Sequence, residues 1–216
     1  MIISKDKKAV FVGIPHTGST FFHRQCPKGL IRDSYDKKHF RLRQIKSWAK
    51  DHLNLEISDY KTFCVVRHPA LWMRSKWQLE KRKFDEFFGL SFEETKARAK
   101  KITGVNSDVQ ARWLHSLQKK YSSGFLSLED FVKDSIVDKN SIFKPYFNSD
   151  SSKDIEILKF ENFEETYTRI SEYFGFQVDV TKKINCSTYT EDISSECREI
   201  MYENFKHDYL ELGYEK

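Results

Sequence analysis

Apolar residues in this chain form short continuous runs separated by segments with helical spacing. The clearest runs are residues 9–14, 61–67 and 154–160, and residues 29–35 form a weaker one. Continuous β-rich runs of this length are typical of strands buried on both faces of a sheet. They therefore predict four strands.

The segments between the runs predict helices. Residues 19–26, 39–53 and 161–176 carry apolar side chains every three or four positions, and residues 84–135 read as further helices on the outside. Strands that alternate with helices predict one α/β domain over residues 1–216, with a central parallel sheet flanked by helices. Ligands of such sheets bind beyond the carboxyl ends of the strands.

Composition narrows the class of protein. No apolar run approaches the roughly 20 residues that cross a bilayer, so we expect a soluble, cytoplasmic protein without a signal peptide or membrane anchor. The net charge of +5 is modest and spread along the chain, which favours an anionic ligand over nucleic acid. Wide spacing predicts free thiols at Cys26, Cys64, Cys186 and Cys197.

The first strand runs into a glycine loop, residues 13–20, that reads G-x-x-x-x-G-S-T. Gly13 and Gly18 let the backbone turn its amides inward, and a helix beginning near Ser19 adds a positive dipole end, so the loop can bind an anion. Ser19 and Thr20 can add hydroxyl donors. The lysine of a nucleoside-triphosphate loop is missing, which argues against a magnesium-triphosphate site.

Two further strand ends carry polar candidates. Arg67 ends the third strand and Ser75 follows eight residues later, two turns into the next helix, so both can reach one phosphate group. His39 follows the second strand on the same expected edge of the sheet and can act as a general base. His16 in the glycine loop is the alternative candidate for this role.

The motifs together resemble one family. An apolar strand entering P-x-T-G-S-T, then V-R-x-P-x-x-x-x-x-S about 50 residues later, resembles the sulfotransferases that use 3′-phosphoadenosine 5′-phosphosulfate (PAPS). Residues 38–45, 157–176, 183–190 and 201–216 resemble further elements of the carbohydrate branch of that family. The resemblance implies a P-loop-like sulfotransferase fold and transfer of a sulfuryl group to a hydroxyl or amine without a metal.

The resemblance also assigns residues. Arg67 and Ser75 should read the 3′-phosphate of PAPS or of its product adenosine 3′,5′-bisphosphate, and His39 should be the catalytic base. The acceptor is expected to be a carbohydrate or small metabolite, and the basic Arg41, Arg43 and Lys46 favour an anionic one. The residues expected to wrap the 5′-phosphosulfate are Pro15, His16, Thr17, Gly18, Ser19 and Thr20.

One position departs from the family pattern. His16 stands where the family carries a lysine or arginine that stabilises the leaving oxygen. Imidazole has an ordinary pKa of about 6.5, so it is only partly cationic at neutral pH unless the bound anion raises its pKa. Three alternatives remain: imidazolium at His16 does this task, another base such as Lys46 reaches in, or the protein is a weakened enzyme or a binding-only relative.

Two other classes compete with this hypothesis. A P-loop kinase or nucleotide hydrolase would use ATP with Mg²⁺ and a lysine from outside the loop. A non-catalytic polyanion-binding module would use the basic run at residues 74–83, in which Trp77 lies among lysines and arginines.

Overall fold

The structure is a computed structural model that describes residues 1–32, 39–103, 108–136, 141–147, 154–182 and 192–216. The described residues fall into two compact units. The first unit comprises residues 1–72, 138–186 and 201–216, and the second comprises residues 73–137 and 187–200.

The first unit is built on one five-stranded sheet in the order β3-β1-β2-β4-β5. β2, β4 and β5 pair in parallel, whereas β1 runs antiparallel to both β2 and β3. β3 consequently points the same way as β2, and the carboxyl ends of four strands meet at one edge. The strands are β1 Ile2–Ser4, β2 Ala9–Val12, β3 Ile31–Arg32, β4 Lys61–Val66 and β5 Ile155–Lys159.

Ten helices are present in the described residues, which makes the protein α/β. They are α1 Ser19–Gln25, α2 Leu42–Leu53, α3 Pro69–Phe87, α4 Phe92–Thr103, α5 Asp108–Lys120, α6 Leu128–Ser135, α7 Lys144–Phe147, α8 Phe163–Phe174, α9 Ser195–Asn204 and α10 Lys206–Glu211.

The core of the first unit lies on the sheet face that α1 and α8 cover. Phe11 and Phe63 project from neighbouring strands, Phe22 from α1 and Ile170 from α8, and all four side chains are buried in one cluster. Val10 and Val12, which alternate with Phe11 along β2, are also fully buried. The central strand is thus covered on both faces, as its continuous apolar run predicted.

The strands predicted at residues 9–14, 61–67 and 154–160 are confirmed as β2, β4 and β5, each slightly shorter. The predicted central parallel sheet is present in the pairs β2–β4 and β4–β5, but the whole sheet is mixed, because β1 is an unpredicted antiparallel strand. Its apolar run of two residues precedes a serine and four charged ones and carries little periodic signal. The weaker strand at 29–35 is present at Ile31–Arg32, and residues 33–35 lie outside the described residues.

The predicted helices are present, with boundaries shifted by up to three residues. The helix expected from residue 39 begins at Leu42, because its buried face is Leu42, Ile45 and Ala49 rather than a face that includes Phe40. The helix predicted after β5 is α8, and Tyr167, Ile170 and Phe174 are buried on it.

The second unit is helical wherever the structure describes it. α4 and α5 form a pair whose small core contains Phe87, Ala99 and Leu114. None of the helices in the described ranges is long and apolar enough to cross a membrane. Cys26, Cys64 and Cys197 are buried free thiols, and Cys186 lies outside the described residues.

A buried carboxylate anchors the segment before α7. Asp208 on α10 is 2% exposed, and it accepts hydrogen bonds from the Ser141 hydroxyl (2.5 Å) and the Ile142 amide (2.6 Å). Burial raises the pKa of the Asp208 carboxyl, and these donors oppose the rise. The carboxylate therefore matters mainly because it satisfies donors that would otherwise be buried without a partner.

We expect Asp208→Ala to lower the free energy of unfolding by about 1–3 kcal/mol, because it leaves the buried Ile142 amide and the half-buried Ser141 hydroxyl without this acceptor. Urea denaturation measures the loss. Asp59→Ala is the matched control: the exposed Asp59 forms only a surface ion pair with Lys8, so the stability should hardly change. Equal effects of both substitutions would contradict the assigned role of Asp208.

Candidate functional site

The glycine loop lies between β2 and α1, and its carbonyl groups are restrained by donors from several elements. Residues 13 to 18 each present a backbone carbonyl that accepts a hydrogen bond from the protein. In order along the loop, the donors are His39 Nδ1 (2.6 Å), Thr17 Oγ1 (2.9 Å), Trp72 Nε1 (2.8 Å), Arg67 Nη1 (3.2 Å), the Tyr167 hydroxyl and the Phe22 amide (3.3 Å).

These restraints set the direction of the loop amides. A trans peptide unit places its C=O and N–H on opposite sides, and no described peptide bond is cis. Because Arg67 holds the His16 carbonyl and Tyr167 holds the Thr17 carbonyl, the amides of Thr17 and Gly18 point away from those two side chains. Successive backbone amides are the groups that form anion-binding concavities, so these two amides are the candidate donors of the loop.

Two residues of the loop adopt left-handed backbone conformations. Gly18 has φ 77° and His16 has φ 63°. Glycine reaches this region without penalty, whereas a histidine there is strained and persists only where surrounding contacts fix it. The contacts at His16 include the Arg67 bond to its carbonyl and the Trp72 ring, which packs edge-to-face against the imidazole at 5.3 Å between centroids.

His39 lies in the turn before α2 and reaches the glycine loop. Its Nδ1 is 2.6 Å from the Gly13 carbonyl oxygen, which can only accept, so Nδ1 carries the proton. In the neutral ring the lone pair is then on Nε2, as a general base requires. The side chain is exposed to solvent, so an acceptor can approach it.

Arg67 directly follows β4 and also contacts the glycine loop. Its guanidinium donates to the His16 carbonyl and stacks over the Phe160 ring at 4.6 Å. Burial and the charge of Glu161 raise the pKa of the neighbouring Tyr214, and the positive charge of Arg67 opposes this rise. A fixed, half-buried cation at a strand end suits the binding of a phosphate group.

The other predicted residues take different positions. The Trp72 indole donates to the Pro15 carbonyl, and the buried Thr17 hydroxyl donates to the Ile14 carbonyl, so both contacts restrain the backbone of the loop. Ser19 and Thr20 begin α1. Ser75 lies on α3 in the second unit. Residues 183–190, which carry part of the family resemblance, are outside the described residues.

A shallow cavity of about 470 Å³ lies elsewhere in the first unit. Glu161, Glu164 and Glu165 line it together with Phe163 and Val180. Three carboxylates repel phosphate groups, so this cavity does not fit an anionic nucleotide. The glycine loop, in contrast, carries amide, hydroxyl and guanidinium groups, which donate hydrogen bonds to anions.

The basic run at residues 74–83 lacks the features of a polyanion surface. Trp77 is 1% exposed, and its indole donates to the Leu126 carbonyl. Lys81 pairs with Asp85 at 3.0 Å and Lys83 with Glu86 at 2.7 Å along the helix. The aromatic side chain is therefore unavailable for stacking, and part of the charge is neutralised locally.

Sequence reasoning missed two side chains that hold the loop. Trp72 lies inside the spacer of the V-R-x-P-x-x-x-x-x-S motif, so its nearness to Arg67 was a usable signal. Tyr167 was predicted for the core face of α8, but nothing in the pattern indicates that its hydroxyl reaches the Thr17 carbonyl.

No protein-family model, curated protein or solved structure matches this chain. The motifs and the geometry of the glycine loop therefore carry the functional interpretation.

The geometry predicts opposite tautomers for two histidines. His39 should carry its neutral-state proton on Nδ1. His68 should carry it on Nε2, because its Nδ1 accepts from the Ala70 amide and its Nε2 faces the Glu215 carbonyl. Long-range ¹H–¹⁵N spectra recorded above the imidazole pKa distinguish the two forms, with His39→Asn and His68→Asn assigning the signals. An Nε2-protonated His39 would contradict its bond to Gly13.

Proposed function

We propose that this protein is a PAPS-dependent sulfotransferase that transfers a sulfuryl group to a hydroxyl or amine of a carbohydrate or small metabolite. One observation carries the proposal: Arg67, directly after β4, and His39, in the turn before α2, both contact the loop that follows β2. His39 Nδ1 lies 2.6 Å from the Gly13 carbonyl, and Arg67 Nη1 lies 3.2 Å from the His16 carbonyl. The motifs that resemble the family thus converge on one loop.

The residues at this loop fit a nucleotide with phosphate groups at both ends. The Thr17 and Gly18 amides, with the hydroxyls of Ser19 and Thr20, would hold the 5′-phosphosulfate. Arg67 would hold the 3′-phosphate, and Ser75 is proposed as its second ligand on the basis of the motif alone. All these groups are donors or cations, which is the donor set that a polyanionic ligand needs.

Bound PAPS supplies an activated sulfuryl group, and the chain supplies positioning, a base and charge stabilisation. His39 Nε2 would take the proton of the acceptor, with the ring oriented by the Nδ1 bond to Gly13. His16 would stabilise the leaving oxygen in place of the family's lysine. Because the loop carbonyls are restrained, its amide donors are fixed before the reaction begins, which lowers the cost of reorganisation.

The surroundings of His39 support an anionic acceptor. Arg41 and Arg43 are exposed at the start of α2, two and four residues after His39, and Lys46 follows one turn later. These cations would attract a carboxylate or sulfate on the acceptor.

We expect adenosine 3′,5′-bisphosphate to stabilise the protein against thermal unfolding. At about 100 times the dissociation constant, a ligand adds about 2.7 kcal/mol to the free energy of unfolding. Arg67→Ala should abolish this gain, because it removes the cation proposed for the 3′-phosphate. Arg24→Ala, which removes an exposed arginine at the end of α1, is the matched control and should preserve it.

ATP with Mg²⁺ is the discriminating ligand in the same melting experiment. Stabilisation by ATP with Mg²⁺ equal to or greater than that by the bisphosphate would replace the proposal with a kinase or nucleotide hydrolase. Stabilisation by any polyanion, with strong salt dependence and no nucleotide preference, would indicate a binding module.

We expect His39→Ala to lower sulfuryl turnover by about 10²–10⁴-fold, the usual loss on removing a general base. His39→Asn is the sharper variant, since its amide can still donate to Gly13 but offers no basic nitrogen. It should lose turnover to a similar degree while keeping nucleotide affinity. Near-normal turnover in either variant, measured with labelled PAPS, would rule out His39 as the base.

A further inference from the structure

The side chain of Tyr167 on α8 contacts the glycine loop. Its side chain is fully buried among Phe21, Phe22 and Phe163, and its hydroxyl donates to the Thr17 carbonyl. Burial raises the pKa of this hydroxyl, so it remains a donor across the physiological range. The contact joins two elements that lie 150 residues apart in the chain.

The bond acts on the peptide unit between Thr17 and Gly18. With the Thr17 carbonyl fixed toward Tyr167, the Gly18 amide must point to the opposite side. A rotation of this unit would break the bond between the Tyr167 hydroxyl and the Thr17 carbonyl, and it would turn the Gly18 amide toward Tyr167 and the carbonyl toward the opposite side. The hydroxyl of Tyr167 therefore fixes the direction of one anion-binding donor.

The same hydroxyl adds a second reason, besides the φ of 77°, for a glycine at residue 18. A Cβ built at Gly18 would lie 2.6 Å from the Tyr167 oxygen, 3.0 Å from Phe160 Cε2 and 3.1 Å from Tyr167 Cε2, and only the first of these contacts is lost in Tyr167→Phe. Both neighbours belong to the protein, so the space is restricted before any ligand enters. Gly18 and Tyr167 therefore act together. Because Gly18 has no Cβ, the Tyr167 hydroxyl can lie close to it and bind the Thr17 carbonyl.

We propose that Tyr167 is a positioning residue for the anion site, and that it holds the Gly18 amide toward the 5′-phosphate of the nucleotide. The coupling of Tyr167 to Gly18 concerns the protein alone. The contact between the Gly18 amide and the 5′-phosphate rests on the proposed function.

A double-mutant cycle tests the coupling without any ligand. Gly18→Ala should lower the melting temperature in wild-type protein by at least about 2 °C more than in Tyr167→Phe, where the clashing oxygen is gone. The φ strain at residue 18 is common to both backgrounds and cancels. Tyr121→Phe, the same change at a buried tyrosine of the second unit, should leave the cost of Gly18→Ala unchanged.

The contact with the 5′-phosphate is tested by measuring the affinity of two nucleotides by calorimetry. Tyr167→Phe should weaken adenosine 3′,5′-bisphosphate about ten-fold, the loss expected for one misdirected hydrogen bond. Adenosine 3′-monophosphate, which lacks the 5′-phosphate, should bind wild-type and variant within about two-fold of each other. Tyr121→Phe should change neither affinity.

The outcomes separate this inference from the proposed function. Equal weakening of both nucleotides in Tyr167→Phe, with intact wild-type binding, would reduce Tyr167 to a structural role and overturn the inference alone. Additive melting effects in the cycle would overturn the coupling to Gly18. Failure of wild-type protein to bind either nucleotide would overturn the proposed function together with the ligand role of Tyr167.

Discussion

The site depends on the hydrogen bonds that hold the carbonyls of residues 13–18. A loop of this kind has as many acceptors as donors, and it can present amides to an anion only if its carbonyls are satisfied elsewhere. Here the donors come from α1, α3 and α8, from the connecting segments that hold His39 and Arg67, and from the loop itself. The sheet order brings them together, because the carboxyl ends of β2, β3 and β4 lie at one edge.

This constraint also explains how a histidine is tolerated at residue 16. A non-glycine residue at φ 63° costs of order 1 kcal/mol or more, which a flexible loop would release by relaxing. Arg67 fixes the carbonyl of His16, and Trp72 holds both the Pro15 carbonyl and the imidazole ring. Strain retained at a candidate site is consistent with a demand for that ring at that position.

The C-terminal segment stabilises the neighbourhood of Arg67. The Tyr214 hydroxyl donates to Glu161, whose other oxygen accepts from the His68 amide directly after Arg67. Lys159, at the end of β5, donates to the Gly213 carbonyl. Residues of the C-terminal motif that resembles the sulfotransferase family thus hold the end of β4, which gives that motif a structural role beside the site.

The sequence by itself determined the α/β class, three strands and the amphipathic face of α8, because these follow from local periodicity. It also singled out the glycine loop, Arg67 and His39 through local motifs. Only the tertiary structure decided that β1 is antiparallel and that the Thr17 hydroxyl binds the Ile14 carbonyl. It also decided that Trp72 and Tyr167 bind carbonyls of the glycine loop. Such bonds join residues 57 and 150 positions apart, and no local pattern encodes the partner of a distant carbonyl.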